Sequence, residues 1–120
     1  MKIFGVSQSS GEERVLKIER GIDGIVLTLA DIKGGKERGR IKINSDALLG
    51  EILDPVPGGS IIEGMPQAHE GAMRLEIEVR RNEVLLQIRE NNGIVADIAI
   101  GLDDIQDGLQ RVTHRESIGS

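Results

Sequence analysis

The chain predicts an α+β fold made of two ββββα repeats, each an antiparallel four-stranded sheet with one short helix, related by a pseudo-twofold axis. Three observations predict it. Leu16, Ile18, Ile25, Leu27 and Leu29 recur as Leu75, Ile77, Val84, Leu86 and Ile88, at a constant offset of 59. After a turn two residues shorter, Ile41, Ile43, Leu48 and Ile52 recur as Ile98, Ile100, Ile105 and Leu109, at an offset of 57. Within each copy the apolar positions first alternate, as in strands, and then shift to helical spacing. A repeat of about sixty residues is too long for a solenoid unit and suits one small half-domain.

The elements follow in order. Lys2 to Val6 is a short apolar stretch, ended by the polar turn Ser7-Gln8-Ser9-Ser10-Gly11. Arg14 to Arg20 alternates with Leu16 and Ile18 on one face, Gly21-Ile22-Asp23-Gly24 turns, and Ile25 to Leu29 resumes the alternation. Lys33-Gly34-Gly35-Lys36 reads as a hairpin tip before a further alternating run through Ile41 and Ile43. Ser45 or Asp46 is placed to cap a helix carrying Leu48, Leu49, Ile52 and Leu53, stopped by Pro55.

Residues 54–71, with Pro55, Pro57, Gly58, Gly59, Gly64 and Pro66, form the junction, and Ser60-Ile61-Ile62 inside it is the counterpart of the first strand. Met73 to Arg80, Val84 to Glu90 and Ile94 to Ile100 complete a second meander through turns at Arg81-Asn82-Glu83 and Asn91-Asn92-Gly93. Asp103 and Gln106 fit a capping box, followed by Ile105, Leu109 and Val112 at i, i+4, i+7. The reading is a single domain, 1–120, with repeats at 2–54 and 59–112 and a loose polar tail at 113–120.

Composition narrows the function. No cysteine is present, which excludes disulfides, thiolate metal sites and a cysteine nucleophile. Nothing near Met1 reads as a signal peptide and no apolar run approaches the roughly 18–20 residues of a membrane span, so a cytoplasmic protein with no membrane partner is expected. Phe4 is the one aromatic; it sits in an apolar run and is read as core. Net charge is −5 and uneven: residues 1–57 carry nine basic and nine acidic side chains, residues 58–120 six and eleven, and every lysine lies in the first half.

The segment from Lys33 to Lys42 holds five basic residues and one acid. In a strand, Arg38, Arg40 and Lys42 share one face while Ile41 and Ile43 take the other. Cations at that spacing, about 6.6–7 Å, can track the phosphates of an extended single strand. Lys33 and Lys36 would sit at the hairpin tip. The alternative is a solvated strand face whose basic hairpin protects a sheet edge. Arg80 and Arg81, with Arg89, form a second basic group, which Glu78, Glu83 and Glu90 are placed to neutralise across strands.

Asp103, Asp104 and Asp107 complement a helix dipole rather than hold a metal. His69 and His114 lie at no ligand spacing, and no glycine pair has a phosphate-loop context. No catalytic constellation, metal site or cofactor is implied.

The duplicated ββββα unit with its basic, glycine-containing hairpin resembles the Whirly and transcriptional-coactivator superfamily of single-stranded-DNA-binding domains, whose repeat the Pur-alpha proteins share. The resemblance covers residues 2–112 and rests on element order; Lys33-Gly34-Gly35-Lys36 is similar in kind to a Lys-Gly-Lys segment of Whirly proteins. It implies single-stranded DNA or RNA binding across exposed sheet faces, a role in transcription regulation or genome maintenance, and homo-oligomerisation. The rival reading is a protein-interaction or assembly module of the same fold, motivated by Leu85 and Val26, which point away from their strands' apolar faces.

Overall fold

The computed structural model describes residues 1–54, 58–65, 72–90 and 93–118, with side chains described as far as Thr113. The elements are β1 (Lys2–Val6), β2 (Glu13–Arg20), β3 (Ile25–Asp31), β4 (Glu37–Ile43), α1 (Ser45–Leu53), β5 (Gly58–Glu63), β6 (Met73–Val79), β7 (Glu83–Glu90), β8 (Gly93–Gly101) and α2 (Leu102–Ile118). The expected Asn91-Asn92 turn and His69 lie outside the described residues.

Two separate four-stranded sheets do not form. All eight strands join one antiparallel sheet, in the order β4-β3-β2-β1-β8-β7-β6-β5. Its outer edges nearly meet, because the Met65 amide just past β5 donates to the Lys42 carbonyl on β4 at 2.8 Å. The result is a nearly closed, barrel-like sheet with two helices. A lone meander leaves two raw edges of unpaired amides and carbonyls; joining the copies pairs β1 with β8 and brings the remaining edges, β4 and β5, close together.

The repeat holds down to register. Lys2 pairs with Lys17 as Ile61 pairs with Glu76, and Leu16 pairs with Leu29 as Leu75 pairs with Ile88. The ladder shifts between Leu29 and Ala30, and again between Ile88 and Arg89. The joints repeat as well. Val6 pairs with Ala99 where β1 meets β8. Adding 59 to the first and subtracting 57 from the second gives Met65 and Lys42, the residues of the second closure.

Eight strands enclose an interior just wide enough for side chains to fill. Leu16, Ile18, Leu27, Ile43, Leu75, Leu86, Ile98 and their neighbours fill it, each exposed by 2% or less. The helices add Leu48, Ile52, Ile105 and Leu109, all fully buried. They also touch each other: Gln106 Nε2 donates to the Ile52 carbonyl at 2.9 Å, so this side chain ties α2 to α1.

The α1 cap is Asn44, not Ser45 or Asp46. Asn44 keeps an extended backbone and its Oδ1 accepts from the Ala47 amide at 3.0 Å, while Ser45 is already helical. α2 runs on to Ile118 instead of loosening at 113. No glycine or proline occurs between Leu109 and Ile118, and polarity alone does not end a helix. Phe4 is 64% exposed, because β1 alternates and buries Ile3 instead. Leu85 points outward yet is only 8% exposed, and Val26 is half-buried, so neither leaves the open apolar surface expected of them.

Where the copies meet, side chains must shrink. A Cβ on Gly5 would overlap the Ala99 carbonyl oxygen and the Ile100 side chain. Its counterpart Gly64 would place a Cβ 2.9 Å from the Met73 carbonyl oxygen and 3.2 Å from Ile41. Gly39 and its own counterpart Ala96 face each other: a Cβ on Gly39 would lie 3.0 Å from the Ala96 Cβ. The pseudo-twofold axis passes between them, where a position meets its own copy and only small residues fit.

Gly5→Ala is therefore expected to destabilise the fold by about 2 kcal/mol or more in a urea melt, since backbone rather than a yielding side chain stands in the way. Gly50 in α1 has nothing within 4 Å of its would-be Cβ. Gly50→Ala is expected to stabilise by up to about 1 kcal/mol through helix propensity.

Candidate nucleic-acid interface

The residues expected along β4 do not act as one row. The register shift at Leu29/Ala30 takes Arg38 out of the ladder, since Leu29 pairs with Gly39 and Ala30 with Glu37. Arg38 turns to Asp31 instead, with Nε to Oδ2 at 2.7 Å and Nη2 to Oδ2 at 2.6 Å. Lys42 is ion-paired with Asp23. Arg40 remains exposed and makes no ion pair among the described residues. Lys33 and Lys36 are exposed at the hairpin tip, which turns through two positive-φ glycines, Gly34 and Gly35, and closes with an Asp31 amide to Lys36 carbonyl bond of 2.8 Å.

In the second copy, Arg80 is held by Glu78, just before it at the end of β6, and by Glu83 across the turn, so only the second of these pairs is cross-strand. Arg89 pairs with Glu76 rather than Glu90. Arg81 is exposed and makes no ion pair among the described residues, but it sits apart from the β4 cations, in the β6–β7 turn.

What the fold assembles is a row across strands. Lys2 stands opposite Lys17, Lys17 opposite Thr28, and Thr28 opposite Arg40, all on the outer face of β1–β4. Three of the four are cations, and none of the three makes an ion pair among the described residues. Thr28, between Lys17 and Arg40, is only 6% exposed. The next row on the same face is Phe4, Val15 and Ala30. An exposed aromatic ring thus flanks a line of free cations.

Lys2 and Lys17 were missed because they lie far apart in sequence. Register alone brings them together. A signal existed: both flank apolar core positions, and counting back from the Gly21–Gly24 turn pairs Lys17 with Thr28.

The same row in the second copy reads Ile61, Glu76, Gln87 and Asp97. Its last member does a different job. Asp97 is 1% exposed and accepts from Ser7 Oγ at 2.7 Å, Ser9 Oγ at 2.8 Å, and the Gln8 and Ser9 amides at 2.9 and 3.1 Å. Arg14 donates to the Asp97 carbonyl at 2.9 Å and also reaches Asp31, which carries Arg38. The chain Ser7/Ser9–Asp97–Arg14–Asp31–Arg38 ties the β1–β2 turn, β2, β3, β4 and β8 together. Buried charges persist only when paired and hydrogen-bonded in this way.

Among the described residues no cluster of three or more His, Asp or Glu is placed to hold a metal, and no helix is long and apolar enough to cross a membrane. No family model matches the chain, and neither a curated protein nor a solved structure does.

The buried network sets an acid sensitivity. Burial raises the Asp97 carboxyl, but the hydrogen bonds from Ser7, Ser9 and Gln8 outweigh it and hold it below its ordinary value. The Arg38 guanidinium, then Arg14, hold Asp31 low as well. A carboxyl with a lowered folded pKa contributes stability above its unfolded pKa of about 3.9 and loses it as pH falls through the folded value. Stability is expected to drop as pH falls from about 5 towards 2. Asp97→Asn is expected to cost about 3 kcal/mol at pH 7, as breaking a buried pair does, and to flatten that acid limb. Chemical denaturation across pH measures both.

Proposed function

We propose that the chain is a non-enzymatic, cytoplasmic binder of single-stranded DNA or RNA, acting through the outer face of β1–β4. The observation that carries this reading is the cross-strand row of Lys2, Lys17 and Arg40 beside the exposed Phe4. Single-strand binders pair a cationic track for the backbone with an aromatic ring on which a base stacks. Both parts are present on this face, and the second copy replaces both, with Glu76 at the Lys17 position and Glu63 at the Phe4 position.

The row crosses three strand spacings of about 4.8 Å, or roughly 14 Å, which makes a footprint of a few nucleotides. Lys33 and Lys36 are exposed at the β3–β4 hairpin tip, along the strands from Arg40 rather than in line with the row, and would add contacts at its β4 end. Arg38 and Lys42, ion-paired with Asp31 and Asp23, contribute field rather than direct contacts. The element order shared with Whirly-type domains supports the same reading and a role in transcription regulation or genome maintenance.

A fluorescence-anisotropy titration of a labelled single strand at low salt tests it. Binding is expected to fall at least tenfold in Lys17→Glu/Arg40→Glu and to change less than threefold in Arg80→Glu/Arg81→Glu. The slope of log K against log salt is expected near −2, from three cations at about 0.7 each. Equal affinity in wild type and Lys17→Glu/Arg40→Glu overturns the proposal.

A further inference from the structure

The cation row ends at a cleft. Lys2, its last member, also lines a hollow of about 290 Å³ between β1 and α2, together with Phe4, Asp104, Asp107, Gly108 and Arg111. That volume lies just below the roughly 300 to 1,000 Å³ of typical ligand clefts. Gly108 allows α2 to close on β1 here, since a Cβ on it would stand 2.8 Å from Ile3 Cδ1. Phe4, whose side chain is exposed on the outer sheet face, is among the hollow's lining residues. One wall is α2, with two carboxylates and one guanidinium. Asp107 and Arg111 are ion-paired at 3.1 Å, both more than half exposed.

We infer that this cleft is a base-recognition pocket selective for nucleobases carrying an exocyclic amino group. The inference rests on the nucleic-acid reading above and adds to it a specificity. With a phosphate at Lys2, the attached base falls beside Phe4, which stands two residues along the same face of β1, about 6.6–6.8 Å away. The base edge then meets Asp104 and Asp107.

Ionised carboxylates only accept hydrogen bonds. The cytosine N4 amino group, like the adenine N6, offers them a donor where thymine presents its O4 acceptor. Thymine has one ring N–H, but two carbonyl oxygens flank it and repel an approaching carboxylate. Arg111 supplies the complementary donor for a carbonyl such as cytosine O2. The set of two acceptors and one donor fork therefore matches cytosine and opposes thymine or uracil.

Two oligonucleotides of equal length, dC6 and dT6, isolate the effect, because both are pyrimidines and differ at the edge the cleft would read. Anisotropy titration at pH 7 is expected to show wild type binding dC6 at least tenfold more tightly than dT6. Asp104→Asn/Asp107→Asn is expected to keep binding both, with the preference reduced to twofold or less. Phe4→Ala is expected to weaken both oligonucleotides by about tenfold, through lost stacking. Since Phe4 and both aspartates are solvent-exposed, these variants are expected to fold, and unchanged melting midpoints check that. Equal binding of dC6 and dT6 by wild type, or a preference that survives the double variant, overturns the pocket while leaving the Lys2–Lys17–Arg40 track standing. Failure of both oligonucleotides to bind overturns the track and the pocket together.

Discussion

The first strand of each copy has to lie directly against the last strand of the other, and the rest of the structure depends on that contact. It is made twice, at Val6 with Ala99 and at Met65 with Lys42. Each joint places a glycine, Gly5 or Gly64, where a side chain would strike backbone or the isoleucine of the opposing copy. Without both joints the molecule is two meanders, each with open edges and an apolar face too large for one short helix to cover. With both, the strands form a single, nearly closed sheet whose outer edges, β4 and β5, are drawn together, and the two apolar faces become one interior. The Gly39–Ala96 crossing is the same constraint at the symmetry axis itself.

A closed interior frees the outside. Inward positions must remain apolar and of matched size, and they repeat; outward positions carry no such demand, and they have diverged. The pair Arg40 and Asp97 shows how far. Both occupy one place in the repeat, yet Arg40 stands exposed at the end of a cation row while Asp97 is buried under the Ser7–Ser9 turn. The acid anchors the turn that leads out of β1, and so helps hold the very strand that presents Lys2 and Phe4. One copy thus supports the surface that the other displays.

Much of this was legible in the sequence, for reasons specific to particular residues. Leu16, Leu27, Leu75 and Leu86 announce their strands because burial on one face enforces alternation, and the repeated offsets fix the element order. The joining of the two meanders was not legible, because it depends on a single backbone pair at each seam and on glycines that read equally well as turns. Phe4 was misplaced because Ile3-Phe4-Gly5-Val6 offers apolar residues to both faces, and only pairing with Leu16 settles that Ile3 goes in. Arg38 looked like part of a stripe because nothing in its neighbours reveals the ladder shift that turns it towards Asp31. Lys17 looked unremarkable because Lys2, its cross-strand partner, and Arg40, one strand further on beyond Thr28, are brought near it by register and not by sequence.

The duplication supplies its own control for the central claim, that one outer face binds a single strand and its counterpart does not. Backbone amide chemical shifts recorded while a short cytosine-containing oligonucleotide is titrated in would read both faces of the same molecule at once. The account predicts the largest changes at Lys2, Phe4, Lys17 and Arg40, with the equivalent Ile61, Glu63, Glu76 and Asp97 unmoved. Equal changes on both faces, or changes confined to the second, would contradict it.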